Sequence, residues 1–241
     1  MSHFYVNPKD ITKRNFTINN NQSYHYIFNV RRFKVGKEIM IFNGIGNSYK
    51  AKITNINKNI ISGEILSSSY LMSNFSIKLY VSIPKNKRFE WLVEKCAEIG
   101  ISEIIPIRTK RSTKNDLSKN KFERYKKISI AASSQCLRND IMKITETINF
   151  EVACKKAANE EYCVNVLPWE KEDTNILNRT IFKSIYSKVN IFIGPEGGFE
   201  NKEIEFAKSL GITTVTLGKN ILRTETAAIA ASVLILSLKM Y

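Results

Sequence analysis

Residues Val189–Ser232 constrain the fold more than any other part of the chain, because they contain two strand–loop–helix units in succession. The first unit has an apolar, β-branched run at Val189–Ile193, typical of a buried strand, then the loop Gly194–Gly198 and a helix. The second has an apolar strand at Thr213–Leu217, a small loop and a final apolar helix at Ala227–Lys239. Because strands alternate with helices here, we predict an α/β sheet, largely parallel, with the two loops building one pocket.

The loop Gly194–Gly198 has the sequence Gly-Pro-Glu-Gly-Gly, which matches neither a phosphate-binding loop nor G-x-G-x-x-G. The helix after it opens with Glu200, Glu203 and Glu205, which complement the positive helix end where a phosphate would sit. We therefore expect a nucleoside ligand without phosphates, bound by backbone groups. A tight strand-to-helix turn without a ligand is the alternative.

The chain has 241 residues, and its 37 Lys and Arg outnumber its 22 Asp and Glu, giving a net charge of +15. This balance indicates a polyanionic partner, or else a generally basic, Lys-rich proteome. The four cysteines show no C-x-x-C spacing and the chain has only two histidines, so we expect no metal site. Because the N-terminus is too polar for an export signal and the apolar run Ala227–Leu238 is too short to span a bilayer, we expect a cytoplasmic protein without membrane association.

Residues 1–72 are predicted to form a small β domain, and residues 73–241 a second domain. The β-rich runs of the first domain are Glu38–Phe42, Ser48–Thr54 and Ile60–Leu66. Before them, Tyr24–Lys34 interleaves basic and aromatic residues, as RNA-binding surfaces do. The serine-rich segment Ser67–Ser69 is the expected hinge between the domains.

The second domain is predicted to continue the alternation of strands and helices. Its expected strands are Ile77–Ile83, Ile104–Ile107 and Tyr162–Leu167, and its expected helices are Phe89–Ile99, Lys119–Gln135 and Thr174–Ser184. Pro168-Trp169-Glu170, at the end of a strand, are expected to form a third wall of the pocket.

The motifs IGPEGGFENKEIEFA and LGKNILRTETAAIAA resemble the C-terminal signature of the SPOUT class of S-adenosylmethionine-dependent RNA methyltransferases. Within that class the chain is most similar to the RsmE family, which methylates N3 of a uridine in 16S ribosomal RNA. Further positions match motifs of the family along most of the chain: His25, Asn29, Val30, Arg32, Lys85, Lys95, Glu98, Gly100, Gln135 and Arg138. The chain departs from the family where His3 replaces an Arg, Ser134 replaces a Glu and Cys136 replaces a Ser.

The resemblance implies a SPOUT-type, trefoil-knotted, largely parallel sheet with helices on both faces, preceded by a PUA-like β-barrel. It also implies S-adenosylmethionine as the methyl donor, 16S ribosomal RNA in the 30S subunit as the substrate, and a homodimer. Two alternatives remain open: a ribose 2′-O-methyltransferase of the same fold, and a non-catalytic RNA-binding module.

The resemblance and the loops together give three sets of candidate site residues. The cofactor-binding candidates are Leu167, Ile193, Gly194, Pro195, Glu196, Gly197, Gly198, Leu217, Gly218, Ile221, Leu222, Arg223 and Thr226. The RNA-binding candidates are His25, Asn29, Arg32, Lys85, Lys87, Arg88 and Arg138. The catalytic candidates are Arg223 and Arg138, as cations that stabilise an imide anion, and Glu196, as a base or as a residue that orders its loop. Glu225 is the second candidate carboxylate or a cap of the last helix.

Overall fold

The computed structural model of the protein describes residues 3–85, 88–112, 117–177 and 186–239. The chain forms two compact units. The first unit comprises Met1–Ser73 and Ile130–Ile141, and the second comprises Asn74–Ser129 and Met142–Tyr241. Each unit has its own sheet, as the sequence predicted for a β domain followed by an α/β domain.

The first unit is built on a five-stranded sheet with the strand order β1-β3-β4-β5-β2. Its strands are β1 (His3–Tyr5), β2 (Asn15–Ile18), β3 (Glu38–Phe42), β4 (Asn47–Asn57) and β5 (Ile60–Tyr70). The pairs are antiparallel except for β1 with β3, which is parallel. The three predicted runs are therefore confirmed as strands, but Ser67–Ser69 lie inside β5 and do not form a hinge.

The segment Ile130–Ile141 belongs to the first unit although it lies far along the chain. The backbone N–H of Gly46 donates to the carbonyl of Asn139 at 3.1 Å, and the N–H of Ile141 donates to the carbonyl of Gly44 at 3.1 Å. These bonds fasten the segment to the turn between β3 and β4. The first unit, though not its sheet, thus includes residues from the middle of the sequence.

The basic and aromatic segment of the first unit is helical. Helix α1 (Asn21–His25) passes directly into a π-helical turn at Tyr26–Val30. Ile27 is fully buried and anchors this segment in the core, whereas Tyr26 and Phe28 are 45% and 44% exposed. The helix therefore keeps one apolar anchor inside and presents its aromatic side chains to solvent.

The second unit is built on a seven-stranded sheet with the order β12-β10-β11-β6-β7-β8, in which β9 also pairs with β7. Its described strand pairs are all parallel. The strands are β6 (Ser76–Ser82), β7 (Glu103–Arg108), β8 (Lys143–Ile144), β9 (Ile148–Asn149), β10 (Cys163–Pro168), β11 (Lys188–Ile193) and β12 (Thr213–Val215). The remaining helices are α2 (Arg88–Ile99), α3 (Lys119–Gln135), α4 (Phe150–Ala158), α5 (Asn201–Ser209) and α6 (Thr224–Lys239).

Helices cover both faces of this sheet. Helices α4 and α5 contact each other on one face, over a core in which the rings of Tyr80 and Phe192 stack at 4.6 Å. Helix α6 packs on β6, β11 and α2. Because buried parallel strands need apolar residues on both faces, the mostly apolar sequence of β11 is explained by this layering, and the amide of the buried Asn190 donates to Asn165 Oδ1 at 2.8 Å.

The predicted elements of the second unit are largely confirmed, with shifted ends. Helix α2 buries the predicted face completely, and Gly100 ends it with φ 98°. Helix α6 begins three residues earlier than predicted, at Thr224, and β12 is shorter because Thr216 bridges to Ile176 instead.

The predicted fold class, an α/β sheet preceded by a small β domain, is confirmed. The helix predicted at Thr174–Ser184 falls mostly on residues 178–185, which lie outside the described residues. A knot can be traced only along a continuous chain, so the trefoil stays a prediction.

Candidate active site

A cavity of about 230 Å³ lies where three loops leave the carboxyl ends of the neighbouring strands β10, β11 and β12. Ligands of open parallel sheets bind at this edge. The lining residues come from these loops and from the start of α6: Pro168, Trp169, Glu170, Ile193, Gly194, Pro195, Glu196, Gly197, Gly198, Phe199, Thr216, Leu217, Gly218, Asn220, Ile221, Leu222, Thr224 and Ala227. The cavity is thus built by the two predicted loops and the predicted third wall.

The conformation of the loop after β11 requires glycine at Gly198. Its φ of +67° lies in the left-handed region, and a Cβ atom there would come within 2.7 Å of Glu170 Oε1. The Gly198 N–H donates to the Pro195 carbonyl at 2.9 Å and closes a tight turn. The positive φ is therefore what requires glycine here, since the Glu170 contact is made by the end of a flexible side chain.

Three side-chain or backbone donors hold this loop in place. The hydroxyl of Thr224 donates to the Gly194 carbonyl at 3.0 Å, and Arg111 Nη1 donates to the Gly197 carbonyl at 2.8 Å. The backbone N–H of Lys85 donates to Glu196 Oε1 at 3.4 Å. The donors come from α6, from the segment after β7 and from the segment after β6, so the loop is fastened from several sides.

The N-terminus of α5 is capped by carboxylates of the protein itself. Glu203 Oε2 accepts a hydrogen bond from the Glu200 N–H at 2.8 Å, and its Oε1 accepts one from the Lys110 N–H at 2.9 Å. Glu203 is only 5% exposed, and it forms a capping box with Glu200. Since the positive end of this helix is satisfied from within the protein, the site favours a ligand without phosphates, as the sequence predicted.

Glu172 fixes the loop that forms the third wall. Its Oε1 accepts hydrogen bonds from the Thr174 hydroxyl and from the N–H groups of Thr174 and Asn175, and its Oε2 accepts one from the Thr214 hydroxyl at 2.6 Å. Burial raises the pKa of Glu172, but these hydrogen bonds outweigh burial and lower the pKa to about 2. The loop after β10 is thereby tied to β12 by an ionised carboxylate.

A charged cluster lies beside the Gly-rich loop. Arg88 Nη1 is 3.6 Å from Glu196 Oε1, and Arg88 Nε is 3.8 Å from Glu225 Oε1. Glu225 is buried, and its Oε2 has no hydrogen-bond partner among the described residues. The candidate base Glu196 and the second candidate carboxylate are therefore bridged by one guanidinium group.

Most of the predicted cofactor-binding residues line the cavity: Ile193, Gly194, Pro195, Glu196, Gly197, Gly198, Leu217, Gly218, Ile221 and Leu222. Leu167, Arg223 and Thr226 do not. Leu167 is fully buried in the core, and Arg223 and Thr226 are exposed. The role of Arg223 as a catalytic cation stays a prediction.

Sequence reasoning missed several lining residues: Phe199, Thr216, Asn220, Thr224 and Ala227. A usable signal existed for Thr224, because a threonine at the start of a helix often caps it. For Phe199, no local pattern distinguishes a cavity wall from a core side chain, since it also packs in the core cluster of the second unit.

Arg138, predicted for catalysis and RNA binding, lies in the first unit, whereas the cavity lies in the second. It forms an ion pair with Asp140 at 2.6 Å, and its side chain is only 13% exposed. Burial raises the pKa of Asp140, but the hydrogen bond and the charge of Arg138 together lower it by more. The pKa of Asp140 therefore lies below its ordinary value. The preceding Leu137 has φ 62° and is 58% exposed.

Apart from Arg138, the predicted RNA-binding residues of the first unit lie on its surface. His25, Asn29 and Arg32 are exposed on or just after the helical segment, beside a stacked pair of rings from Tyr24 and Phe28 at 5.5 Å. In the second unit, Lys85 is exposed and Arg88 belongs to the charged cluster. Lys87 lies outside the described residues.

His3, which stands where the resembling family has an Arg, is buried in the first unit. It is 7% exposed and stacks on Phe42 at 4.3 Å, and burial lowers its pKa from 6.5 to about 4. The imidazole is therefore neutral at neutral pH, because burial disfavours its charged form.

A second cleft, of about 640 Å³, lies in the second unit. It is lined by Lys78, Tyr80, Glu103 and Glu160 among others, and no predicted site residue lines it. Among the described residues, no group of three His, Cys, Asp or Glu is arranged to hold a metal ion, and no helix has the length and apolar character needed to cross a membrane.

Comparison with known proteins gives consistent results for both units. The profile of an RNA methyltransferase domain matches residues 72–236, and that of an RNA methyltransferase PUA domain matches residues 18–66. The chain is 34% identical to ribosomal RNA small subunit methyltransferase E of Mesomycoplasma hyopneumoniae, over 95% of this chain and 96% of that protein. It is 28% identical to the protein of the same name from Bacillus subtilis, over 86% and 84% of the two chains.

Among solved structures, the chain is similar to a ribosomal RNA small subunit methyltransferase E from Neisseria gonorrhoeae bound to S-adenosylmethionine. The TM-score is 0.87 at 26% identity, and the match covers 99% of this chain and 98% of that one. The similarity therefore extends over both units.

Proposed function

Because the chain belongs to the ribosomal RNA small subunit methyltransferase E family, we propose that it transfers a methyl group from S-adenosylmethionine to N3 of a uridine in 16S ribosomal RNA. The observation that carries the proposal is the cavity at the carboxyl ends of β10, β11 and β12, walled by the Gly-rich loop after β11 and the small loop after β12. A nucleoside-like methyl donor without phosphates suits this cavity, because the helix end beside it is already satisfied by Glu203.

The residues around the cavity fit S-adenosylmethionine in their chemistry. Ile193, Leu217 and Trp169 offer apolar surface for the adenine ring, while the glycines let backbone groups approach the ligand closely. Glu170 and Glu196 add carboxylates that suit the positive charges of the donor. When bound, S-adenosylmethionine supplies an electrophilic methyl group on a positively charged sulfur.

The remaining chemistry falls to residues of this chain. Uracil N3 carries a proton at neutral pH, so it becomes a nucleophile only when that proton leaves. Glu196 is 36% exposed at the cavity and is the carboxylate proposed to accept the proton. Its contact with the Lys85 N–H also supports the ordering role, so one side chain serves both purposes.

Arg223 and Arg138 are the cations proposed to stabilise the imide anion that forms at the base. Arg223 is exposed on the second loop, next to Leu222, which lines the cavity. Arg138 is held by Asp140, which fixes the direction of its guanidinium group. Most of the rate enhancement is expected from holding the base in line with the methyl group.

The partner proposed for the surface residues is 16S ribosomal RNA within the 30S subunit. The net charge of +15 and the exposed aromatic and basic helix of the first unit support this proposal. We also propose that the protein acts as a homodimer, in the cytoplasm, where ribosomal subunits are found.

The test uses 30S subunits from a strain that lacks the gene of this protein. The subunits are incubated with the purified protein and S-adenosylmethionine, and the digested RNA is analysed by mass spectrometry. We expect 3-methyluridine as the new nucleoside, greatly reduced with Arg223→Ala and unchanged with Arg124→Ala, since Arg124 pairs with Glu90 on the surface.

Other outcomes of this experiment would contradict the proposal. A 2′-O-methylated nucleoside would keep the cofactor and contradict the N3 assignment. If no methylated nucleoside forms and calorimetry detects no binding of S-adenosylmethionine, the protein is a non-catalytic RNA-binding module.

A further inference from the structure

One guanidinium group joins three separate elements beside the cavity. Arg88 lies at the start of α2, Glu196 in the loop after β11, and Glu225 in the first turn of α6. Nε of Arg88 is 3.8 Å from Glu225 Oε1, and Nη1 is 3.6 Å from Glu196 Oε1. Different nitrogens thus face the two carboxylates, which suits the planar, forked geometry of arginine.

The two carboxylates differ in burial, and we infer different roles for them from this difference. The side chain of Glu225 is 10% exposed, whereas that of Glu196 is 36% exposed. A buried carboxylate without a cation is costly, so Glu225 holds Arg88 in place. Glu196 faces the cavity and is therefore the member of the cluster that a ligand reaches.

The three residues thus have different roles: Glu196 faces the ligand, Arg88 bridges the two carboxylates, and Glu225 holds Arg88 in place. In known active sites a base is commonly oriented by a partner that is itself held by another side chain. Lys85 donates its backbone N–H to the same oxygen of Glu196 at 3.4 Å, so Oε1 has one hydrogen bond and one ion-pair contact on the α2 side. The other oxygen, Oε2, is left to accept a proton.

We propose that Arg88, anchored on Glu225, is a positioning residue that orients the carboxylate of Glu196 and, with it, the Gly-rich loop. This inference rests on the proposed function. In the step concerned, the N3–H bond of uracil breaks, its proton moves to Glu196 Oε2, and the bonding electron pair stays on N3. Arg88 does not touch the reacting atoms, and it acts only through Glu196.

The competing explanation is that Arg88 only holds α2 and α6 together. A double-mutant cycle distinguishes this structural role from a role in orienting Glu196. If Arg88 works through Glu196, then Arg88→Met and Glu196→Gln remove the same contribution to kcat. The double variant is then no slower than the slower single variant. If Arg88 only staples the helices, the two reductions multiply.

The experiment measures kcat for methylation of 30S subunits by the wild type, Arg88→Met, Arg88→Lys, Glu196→Gln and the double variant. We expect kcat to fall about 10- to 100-fold in Arg88→Met, as for other small displacements of a reacting group. Arg88→Lys should retain more activity because it keeps the charge. The Kd of S-adenosylmethionine should change less than kcat in all of them. Arg124→Met is the matched control, since Arg124 forms a surface ion pair with Glu90.

A second readout does not depend on activity. Amide hydrogen exchange of the loop Gly194–Gly198 should be faster in Arg88→Met and Glu225→Gln than in the wild type, and unchanged in Arg124→Met. Multiplying rate reductions, or unchanged exchange in the first two variants, would overturn the inference. If the wild type forms no 3-methyluridine but exchange responds as expected, the proposed function fails while the anchoring of the loop stands.

Discussion

The hydroxyl of Thr224 donates a 3.0 Å hydrogen bond to the carbonyl of Gly194, thirty residues earlier in the chain. This bond joins the first residue of α6 to the first residue of the Gly-rich loop. Both residues line the cavity, and Thr224 is only 4% exposed. The two loops that the sequence predicted separately are therefore one connected wall.

Replacing Thr224 by valine should weaken cofactor binding, because the isosteric side chain leaves the Gly194 carbonyl without its donor. We expect the Kd of S-adenosylmethionine to rise about 5- to 30-fold, the effect of ~1–2 kcal/mol. Isothermal titration calorimetry measures this change. Thr226→Val is the matched control, because Thr226 is exposed and does not line the cavity, and an equal loss in both variants would contradict the prediction.

Arg111→Met should also weaken cofactor binding, because Arg111 Nη1 holds the Gly197 carbonyl at 2.8 Å. The side chain is half exposed, so we expect a modest increase in Kd, about 10-fold. The same calorimetric titration of Lys110→Met serves as the control, since the contact of Lys110 with Glu203 uses its backbone N–H. Unchanged affinity in Arg111→Met would show that the loop keeps its conformation without this bond.

Glu172 should make the stability of the protein depend on pH in the acid range. Its pKa of about 2 lies below the ordinary value of 4.5, so the unfolded chain binds a proton first as the pH falls. The stabilisation is therefore complete above about pH 4.5 and is lost as the pH approaches 2. Melting curves of the wild type and Glu172→Gln should differ at pH 6 and converge near pH 2.

The neighbouring Asp173 provides the control for this experiment, because it is exposed. Asp173→Asn should leave the pH dependence of the melting temperature unchanged. A gap between wild type and Glu172→Gln that persists at pH 2 would contradict an ionised Glu172.

His3 should destabilise the protein at mildly acid pH. The pKa of His3 falls from 6.5 to about 4 in the folded state. At pH values between these two, His3 binds a proton in the unfolded chain but not in the folded chain. Stability should therefore decrease as the pH is lowered from about 6.5 to about 4. His3→Phe should flatten this part of the curve, as followed by urea denaturation, whereas His25→Phe should not, since His25 is exposed.

Most secondary structure could be predicted from the sequence because apolar periodicity reflects burial directly. The bounds of β3 and α3 agree with the prediction, and every residue of the predicted apolar face of α2 is buried. The short strands β1 and β2 were missed because strands of three or four residues carry too little pattern.

The connections of the site could not be predicted in the same way. Arg111 and Gly197 are far apart in sequence, and nothing local to either residue indicates that they meet. Arg88 was predicted to bind RNA, and nothing in its sequence neighbourhood indicated that it also pairs with two carboxylates. A single sequence gives the loops and the composition of a site, but the partners of each charge depend on the folded chain.

The contribution of Ile130–Ile141 to the first unit has a consequence for biosynthesis. A nascent chain that has emerged only as far as Ser73 has all five strands of the N-terminal sheet, but not the residues that bind Gly44 and Gly46. The N-terminal unit therefore reaches its final form only after residue 141 has left the ribosome, when β6, β7 and α2 of the second unit have also been synthesised. Completion of the N-terminal unit therefore depends on prior synthesis of the first part of the second unit, although the N-terminal unit lies almost entirely before the second in the sequence.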